Sequence, residues 1–595
     1  MKIDNAGYQP VTVMDRFCRR INSLPSSRQW ILCLVTLFTF FFLLGSRSLN
    51  ESDEGRYAEI SREMVESGNW LVPHFWYLPH FDKPPVIYWA VAESMRLFGT
   101  NEWAVRIPLA LAGISGVVAA YFLALSIAGK RVAFWTVLIL QTSALYFGMS
   151  RVVTPDMFLT QFIAWTIFFF WKAWNSQPDL DLGSTPSGTP FLISLLWTSA
   201  GWLACAGGFL SKGPIAVLIP LSALIGLFIY KRSEKRKIRV MSLSLLLSFP
   251  LFIILILPWF LKVFAAVPES WNFMVFGQVF GHYLGTAIKN RPGGPHYFFV
   301  ILAIGFLPWT WVLFRFWSKP YWQTLSPKNR EGWVYLLTGA LFTFVFFTCS
   351  RSKLPAYILP MFVPLAVLTA MRFFITDTQT IIQSRLWKWV LQTPIFMAIA
   401  IPIALMCILK RPDIWWTWGI IALFIICGVL LYKKSRDWTS SQCAGTAVFL
   451  MLINMLLLGI NFPQIETSIK SSQTLKPLGI AIRNAYHPGD RLVCWGGFPQ
   501  GLPFYAAPLM NDTNRFYLGG TSFKQVPFEF PGNRERMGKW VLSSPKDLDK
   551  FLTSTNRVLV AGFQGTFEEA KKRTPTNTFV FLTKVGRWEL FVNHD

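Results

Sequence analysis

The sequence predicts an all-α polytopic membrane domain followed by a small α/β domain outside the bilayer. Hydrophobic residues make up 53% of the 595 positions and charged residues only 15%, a balance that soluble folds of this length do not have. Apolar stretches of about 17–25 residues, each long enough to cross a bilayer, recur roughly thirteen times. Past position 462 the pattern changes to short strand-like runs alternating with helix-like ones.

The expected spans lie near 29–46, 104–127, 132–149, 155–174, 190–209, 213–231, 239–264, 296–315, 332–349, 354–373, 387–409, 414–433 and 441–461. The 27 Trp and 54 Phe suit a large lipid-facing surface with interfacial belts. A net charge of +25 does not point to nucleic acid here, because Lys and Arg fill short loops between apolar runs instead of one solvated face. Those loops orient the chain. Arg16, Arg19, Arg20 and Arg28, then Lys130–Arg131, the basic run 231–239, the loop 316–331 and Lys433–Lys434 all fall on the cytoplasmic side. Asp53, Lys83, Asp156, Lys212, His282, Lys353 and everything after about 462 then face outward. The first span reads as a retained span, since no small-residue cleavage site follows its apolar core. The cysteines do not form a disulfide pattern, and most fall in expected spans or on the cytoplasmic side.

Two exterior segments, 47–103 and 265–295, are too long to be mere connectors. Within 54–67, Tyr57, Ile60 and Met64 recur at helical spacing with Arg56, Glu59, Glu63 and Glu66 between them, which predicts an amphipathic helix lying in the interface. A second short helix opens at Pro84–Pro85 and closes before Gly99. At about 1.5 Å per residue it is too short to span ~30 Å of hydrocarbon. The segment 265–295 carries Gly281, Gly293 and Gly294 and reads as a shaped loop. Residues 462–595 form the expected α/β domain, with strand-like runs at 491–495, 557–561, 579–582 and 588–592. Residues 1–461 form the membrane domain.

Candidate chemical groups collect at the outward ends of several spans, where ionisable residues at membrane depth point to a site. Asp53–Glu54 follows the first span and opens the amphipathic helix. Capping that helix is the bland role, and a carboxylate facing a bound ligand is the functional one. Lys83, Lys212 and Lys353 each stand just before a proline-started helix, an arrangement suited to an anionic group such as phosphate. Lys289 and Arg291 add cations from the second exterior loop. Asp156 follows Pro155 at the start of another span, where it could equally cap the helix. Asp82 and His282 could pair or share a divalent metal ion, although two separated ligands are a thin metal signature. Trp70, Trp76, Tyr77, Tyr88 and Trp89 could stack on sugar rings or belong to the interfacial belt.

Several of these residues also carry a family resemblance. The stretch Asp53–Met64, then Ser67–Trp70, Pro73, Phe81-Asp-Lys-Pro-Pro85, Tyr88–Trp89 and Phe98–Arg106 resembles the membrane glycosyltransferases of the protein mannosyltransferase and aminoarabinose transferase (ArnT-like) superfamily. Thr154-Pro-Asp156, Phe209–Pro214 and Ser352–Pro360 fit the same pattern in the same order, so the likeness covers most of 50–360.

The resemblance implies a GT-C type fold, with a helical membrane domain beneath exterior juxtamembrane helices. It implies Asp53 as the principal catalytic carboxylate, with Glu54 beside it and Asp156 as a second. Lys83 is then the carrier-phosphate ligand, and a metal would map to Asp82 and His282, where this chain has Asp in place of the more common Glu. The implied reaction is an inverting transfer from a polyprenyl-phosphate sugar to lipid A, a glycan or a protein, at the periplasmic face of a bacterial inner membrane. Lys83, with Lys289 or Arg291, would neutralise the departing phosphate, and Asp53 would orient the acceptor. The rival class is a lipid or sugar transporter or flippase. It predicts internal repeats and helices broken at the midplane, whereas here the polar residues gather at one edge and no repeat is visible.

Overall fold

The computed structural model describes residues 29–51, 53–176, 188–281, 293–313, 319–375, 384–409, 415–435, 438–469, 474–506, 516–520, 530–575 and 578–594. Each of the thirteen expected spans contains helix, although 29–46 is helical only to Phe41 and 296–315 only over Tyr297–Gly305 and Thr310–Leu313. The chain opens with α1 (Gln29–Phe41), then α2 (Asp53–Ser67), an antiparallel pair β1 (His74–Phe75) and β2 (Leu78–Pro79), and α3 (Val86–Phe98). There follow α4 (Glu102–Ala128), α5 (Lys130–Gln141), α6 (Ala144–Met149), α7 (Pro155–Asn175), α8 (Gly188–Lys212), α9 (Ile215–Tyr230) and α10 (Lys235–Ala266). After α11 (Tyr297–Gly305) and α12 (Pro327–Cys349), a 3₁₀ turn at Pro355–Met361 runs into α13 (Phe362–Phe374), and α14 (Ser384–Leu409), α15 (Trp415–Lys434) and α16 (Ser440–Ile469) complete the membrane domain. Among the described residues, six helices are long and apolar enough to cross a bilayer: Glu102–Ala128, Pro190–Lys212, Lys237–Ala266, Pro327–Cys349, Pro355–Phe374 and Ser440–Ile460.

Local chemistry sets the breaks. α4 begins where the Asn101 side chain accepts the Ala104 N–H at 2.9 Å, and stops at Gly129, whose φ of 88° suits glycine. The stretch 132–149 is split between α5 and α6 because the Thr142 and Ser143 hydroxyls bond back to the carbonyls of Leu138 and Ile139.

Two findings differ from the sequence reading. Helix α2 forms where expected, but it presents no solvated polar face: every residue from Glu54 to Met64 is buried, charged ones included. The reason is that its polar positions are paired internally. Arg62 bonds Glu59 at 2.7 and 2.9 Å and Glu66 at 2.6 Å, while Glu63 accepts the Tyr77 N–H and so ties the β1–β2 pair to the helix. Burial, and then the neighbouring Glu59 carboxylate, push Glu63 well above the usual carboxylate range. In addition, α16 continues as helix to Ile469, beyond the expected end at 461.

The tail folds as a six-stranded sheet in the order β5-β4-β3-β6-β8-β7, from β3 (Arg491–Trp495), β4 (Tyr517–Gly519), β5 (Val541–Leu542), β6 (Val558–Phe563), β7 (Val580–Val585) and β8 (Trp588–Val592). β5, β4, β3 and β6 run parallel, and β8 and β7 close the edge antiparallel. Alternate residues serve two cores. Leu492, Cys494, Leu559, Ala561 and Leu590 join the core shared with the membrane domain. Val493, Trp495, Val560 and Phe591 pack on the other face with Leu548 and Leu552 of α19 (Pro545–Leu552) and Ala570 of α20 (Thr566–Arg573). The first face carries α17 (Lys476–Ala485) and α18 (Leu502–Ala506).

The tail packs directly against the segment 47–103. Phe498 lies 5.7 Å from Phe75 and 4.8 Å from Trp76, centroid to centroid, and Phe530 lies 5.0 Å from Phe81. Asn533 donates to the Pro79 carbonyl at 2.9 Å, and Lys476 pairs with Glu102 at 2.7 Å.

Candidate functional site

The site is built on the turn that enters α2. Glu54 is its anchor. Its carboxylate takes Arg47 at 2.5 and 2.7 Å and Arg106 at 3.2 and 3.3 Å, and accepts the backbone N–H groups of Asn50 and Val153. Burial would raise this carboxyl, but Arg106 and Arg47 hold it far below the usual range. Glu54 is only 1% exposed. The expectation that Glu54 acts on substrate is therefore corrected: its oxygens are committed to joining α1, α2, α4 and the entry to α7.

Asp53, one residue earlier, faces the other way and its side chain is 38% exposed. It is the first residue of α2 and is held by the Arg56 guanidinium at 2.9 Å. Arg56 also reaches Asp82 at 3.5 Å, and Asp82 holds the Lys83 ammonium at 3.0 Å. The result is an Asp53–Arg56–Asp82–Lys83 row of alternating charge, backed by the buried rings of Tyr57 and Tyr88, whose centroids are 5.9 Å apart. Burial would raise Asp82, but Lys83, Arg56 and His80 hold it well below the usual range. Pro84–Pro85 starts α3 at this point, so Lys83 sits at the mouth of a helix N-terminus as the spacing predicted. From below, Glu51 accepts the Gly501 N–H at 3.0 and 3.1 Å, and Gln500 accepts from Arg56 at 3.3 Å, so the tail domain closes one side of the row.

Asp156 is buried in the first turn of α7, behind Thr154 as N-cap, and forms a short ion pair with Lys212. Lys212 also lies 4.3 Å from the Tyr357 ring centroid. The bond from Val153 to Glu54 places the start of α7 on the same membrane face as Asp53. Two phosphate assignments need correction. Lys212 is neutralised by Asp156, and Lys353, only 5% exposed, donates to the carbonyls of Phe347, Thr348 and Ser350, where it caps the C-terminal end of α12. His282, Lys289 and Arg291 lie outside the described residues, which leave out 282–292 of the second exterior segment, and Ser270–Phe280 of that segment is helical where a shaped loop was expected.

A metal at Asp82 fits poorly with these contacts. One Asp82 oxygen is engaged by Lys83 and the other by Arg56, and among the described residues no three His, Cys, Asp or Glu converge. Residue types alone did not identify Arg56 as the bridge between Asp53 and Asp82, nor Glu51 and Arg106 as supports. For Arg106 a signal existed: an arginine inside an apolar span requires a partner.

Residues 82–261 match the dolichyl-phosphate-mannose-protein mannosyltransferase family model. The undecaprenyl phosphate-alpha-4-amino-4-deoxy-L-arabinose arabinosyl transferase of Edwardsiella ictaluri is 32% identical over 350 residues, which is 57% of this chain and 58% of that protein. The transferase of the same name from Aeromonas hydrophila is 32% identical over 346 residues, 58% of this chain and 59% of that protein. The matched region thus spans under two thirds of these relatives. ArnT from Cupriavidus metallidurans, solved bound to undecaprenyl phosphate, superposes with a TM-score of 0.74 at 22% identity, covering 96% of this chain and 98% of that one. Its apo structure gives 0.75. The chain has the GT-C fold and is related to the ArnT-like membrane glycosyltransferases.

Proposed function

We propose that this protein transfers a sugar from a polyprenyl-phosphate carrier to an acceptor at the outer edge of the membrane, with inversion at the anomeric carbon. The observation that carries this reading is the exposed Asp53 carboxylate, fixed 2.9 Å from Arg56 in one row with Asp82 and Lys83. Transfer breaks the bond between the anomeric carbon and the phosphate oxygen and releases polyprenyl phosphate, a good leaving group, so what its departure needs is a cation at the oxygen that gains charge. Lys83, at the N-terminus of α3, supplies one, with the helix N-terminus adding partial positive charge. Asp53 lies across the row from Lys83 and can accept the proton of an acceptor hydroxyl as the bond to the sugar forms. Attack from that side, opposite the phosphate, inverts the centre. Arg56 orients Asp53, and the Asp156–Lys212 pair holds the start of α7 beside them. No step requires a metal.

A pentose, the aminoarabinose named for the related transferases, is the first sugar to test, and lipid A is the first of the lipid, glycan and protein acceptors to test. Arginines and lysines in the loops opposite Asp53 favour placing the site and tail on the periplasmic side. An active alkaline phosphatase fusion at the C-terminus would agree with that orientation, and an inactive one would reverse it. For the chemistry, the full chain in proteoliposomes is given the polyprenyl-phosphate sugar and acceptor lipid, and product is followed by mass spectrometry. Asp53→Asn is expected to accumulate normally and transfer nothing. Near-normal turnover in that variant would reduce Asp53 to a helix-end residue.

A further inference from the structure

The topology of the tail sheet is one that, in other proteins, makes a ligand site. From β3 the chain builds outward through β4 and β5 on one side, then crosses back past β3 to β6, and all four strands are parallel. In open parallel sheets, ligands lie in the crevice at the carboxyl ends of the strands, where the order reverses. Here that crevice is filled from within. A Cβ added at Gly497 would lie 2.8 Å from the Trp588 ring, and one at Gly496 would lie 2.9 Å from Phe563 Cβ. The N-terminus of α20, beyond β6, already holds the Glu589 carboxylate, which accepts the Gly565 and Phe567 N–H groups at 3.1 and 3.2 Å. Protein side chains take the place of a ligand at these strand ends.

What the switch point does present is the loop that leaves β3. Phe498 packs on Phe75 and Trp76, Gly501 meets Gly55, and between them the half-buried Gln500 reaches Arg56. The Gln500 backbone N–H is given to Glu51, and its side-chain oxygen accepts Arg56 Nη1 at 3.3 Å. Arg56 is the centre of the charge row. Its Nη2 serves both Asp53 at 2.9 Å and Asp82 at 3.5 Å, and among the described residues Gln500 is the acceptor for Nη1. Two carboxylates on a single nitrogen leave a guanidinium free to turn about that nitrogen, whereas an acceptor on the other arm of the fork fixes its plane. The Arg56 side chain is 8% exposed, which leaves water little room to stand in for Gln500.

We infer that Gln500 is a positioning residue of the transfer reaction, contributed by the tail: by fixing the Arg56 guanidinium it aims the Asp53 carboxylate at the acceptor. The inference rests on the reaction proposed above. It makes the tail part of the site's chemistry as well as its wall. Lys83 is held by Asp82 and not by Gln500, so loss of Gln500 slows bond formation and leaves the donor contact in place.

The test uses the full chain in proteoliposomes with three variants. Gln500→Leu keeps the volume and removes the oxygen, Gln500→Asn draws the oxygen back by one carbon, and Gln500→Glu restores an oxygen at the original reach. The Leu and Asn variants should lower kcat about 10–100-fold with the donor KM unchanged, since misplacing a reacting group by about 1 Å can cost about 10²-fold. The Glu variant should recover most of the rate. A second readout needs no turnover: peptide-resolved phenylglyoxal labelling of Arg56 should rise several-fold in the Leu and Asn variants. Arg62, also 8% exposed but held by Glu59 and Glu66, should label as in the wild type. A wild type that transfers nothing from the carrier refutes the reaction, and labelling alone then decides whether Gln500 fixes Arg56. Wild-type kcat in both the Leu and Asn variants would overturn the inference, as would unchanged labelling of Arg56 or a raised donor KM at constant kcat. Equal gains in labelling at Arg56 and Arg62 would also overturn it, because they would mean a general loosening of the tail.

Discussion

The docking of the tail domain on the site can be tested at a single glycine pair. A Cβ added at Gly55 would lie 2.7 Å from Gly501 Cα and 3.0 Å from Gly501 N, and the reciprocal Cβ at Gly501 would lie 2.9 Å from Gly55 Cα. Carbon pairs rest at about 3.5–4.0 Å, so the two backbones must part by about 1 Å, and neither contact is a side-chain end that can swing aside. Overpacking of this kind costs about 1–3 kcal/mol. The same shift stretches the bonds from Gly501 N–H to Glu51, now 3.0 and 3.1 Å, and from Leu49 N–H to Tyr505 Oη, now 2.7 Å. Losing one such bond adds about 0.5–1.5 kcal/mol, for a total of about 1.5–4.5 kcal/mol. Gly55 lies between Asp53 and Arg56, and a 1 Å misplacement of reacting groups can cost about 10²-fold in rate. Gly55→Ala should therefore lower both the thermal midpoint, followed by tryptophan fluorescence in detergent, and turnover. Gly501→Ala should do the same, and Gly148→Ala, with open space around it, should do neither. Wild-type melting and turnover in Gly55→Ala would refute the idea that the tail holds the site in register.

Glu54→Gln leaves the Arg47 and Arg106 guanidiniums buried without their carboxylate, at a cost of about 3–5 kcal/mol, so little monodisperse protein should survive size-exclusion chromatography; a normal elution profile and melting curve would show that the carboxylate is dispensable. Lys83→Ala should raise the donor concentration for half-maximal rate about 10–150-fold, the equivalent of a charged contact worth about 1.5–3 kcal/mol; unchanged donor dependence would remove Lys83 from the site. Burial raises Glu51 from 4.5 to about 7 against the opposing pull of the Gly501 and Gln500 N–H groups and of Arg56. The folded protein thus holds this proton more tightly than the unfolded chain, so stability falls as pH rises between those values and levels off above them. Glu51→Gln should flatten that slope in melting curves taken from about pH 5 to 8, and a slope unchanged by the substitution would assign it to another group.

How much of this was legible in the sequence depended on the range of the interaction. Span positions followed from local hydropathy, and β3 and β8 coincide with the runs read at 491–495 and 588–592, where alternating apolar side chains fill both faces of the sheet. β4 and β5, three and two residues long, carry too little pattern to be seen. The Asp53 and Lys83 positions were marked by punctuation, a span end and a proline-started helix. The roles of Glu54, Lys212 and Lys353 were not, because each depends on a partner fixed only by folding. Glu54 finds Arg106 52 residues away, Lys212 finds Asp156 56 residues back, and Lys353 turns onto carbonyls of the helix before it. A charged side chain beside a proline reads the same in sequence whether it is exposed or already neutralised.

The bond from Gly501 to Glu51 closes a separation of 450 residues. At about 5–20 residues per second, a ribosome needs about 20–90 s to make the chain between them. For that interval the turn at 49–56 stands at the membrane with its carboxylates and Arg56 uncovered by the tail. Completion of the site therefore waits for the last part of the polypeptide to be made, whatever the order in which the helices insert. A nascent chain released early would be a fully inserted membrane protein with an unassembled centre, and quality control that monitors only insertion would let it through.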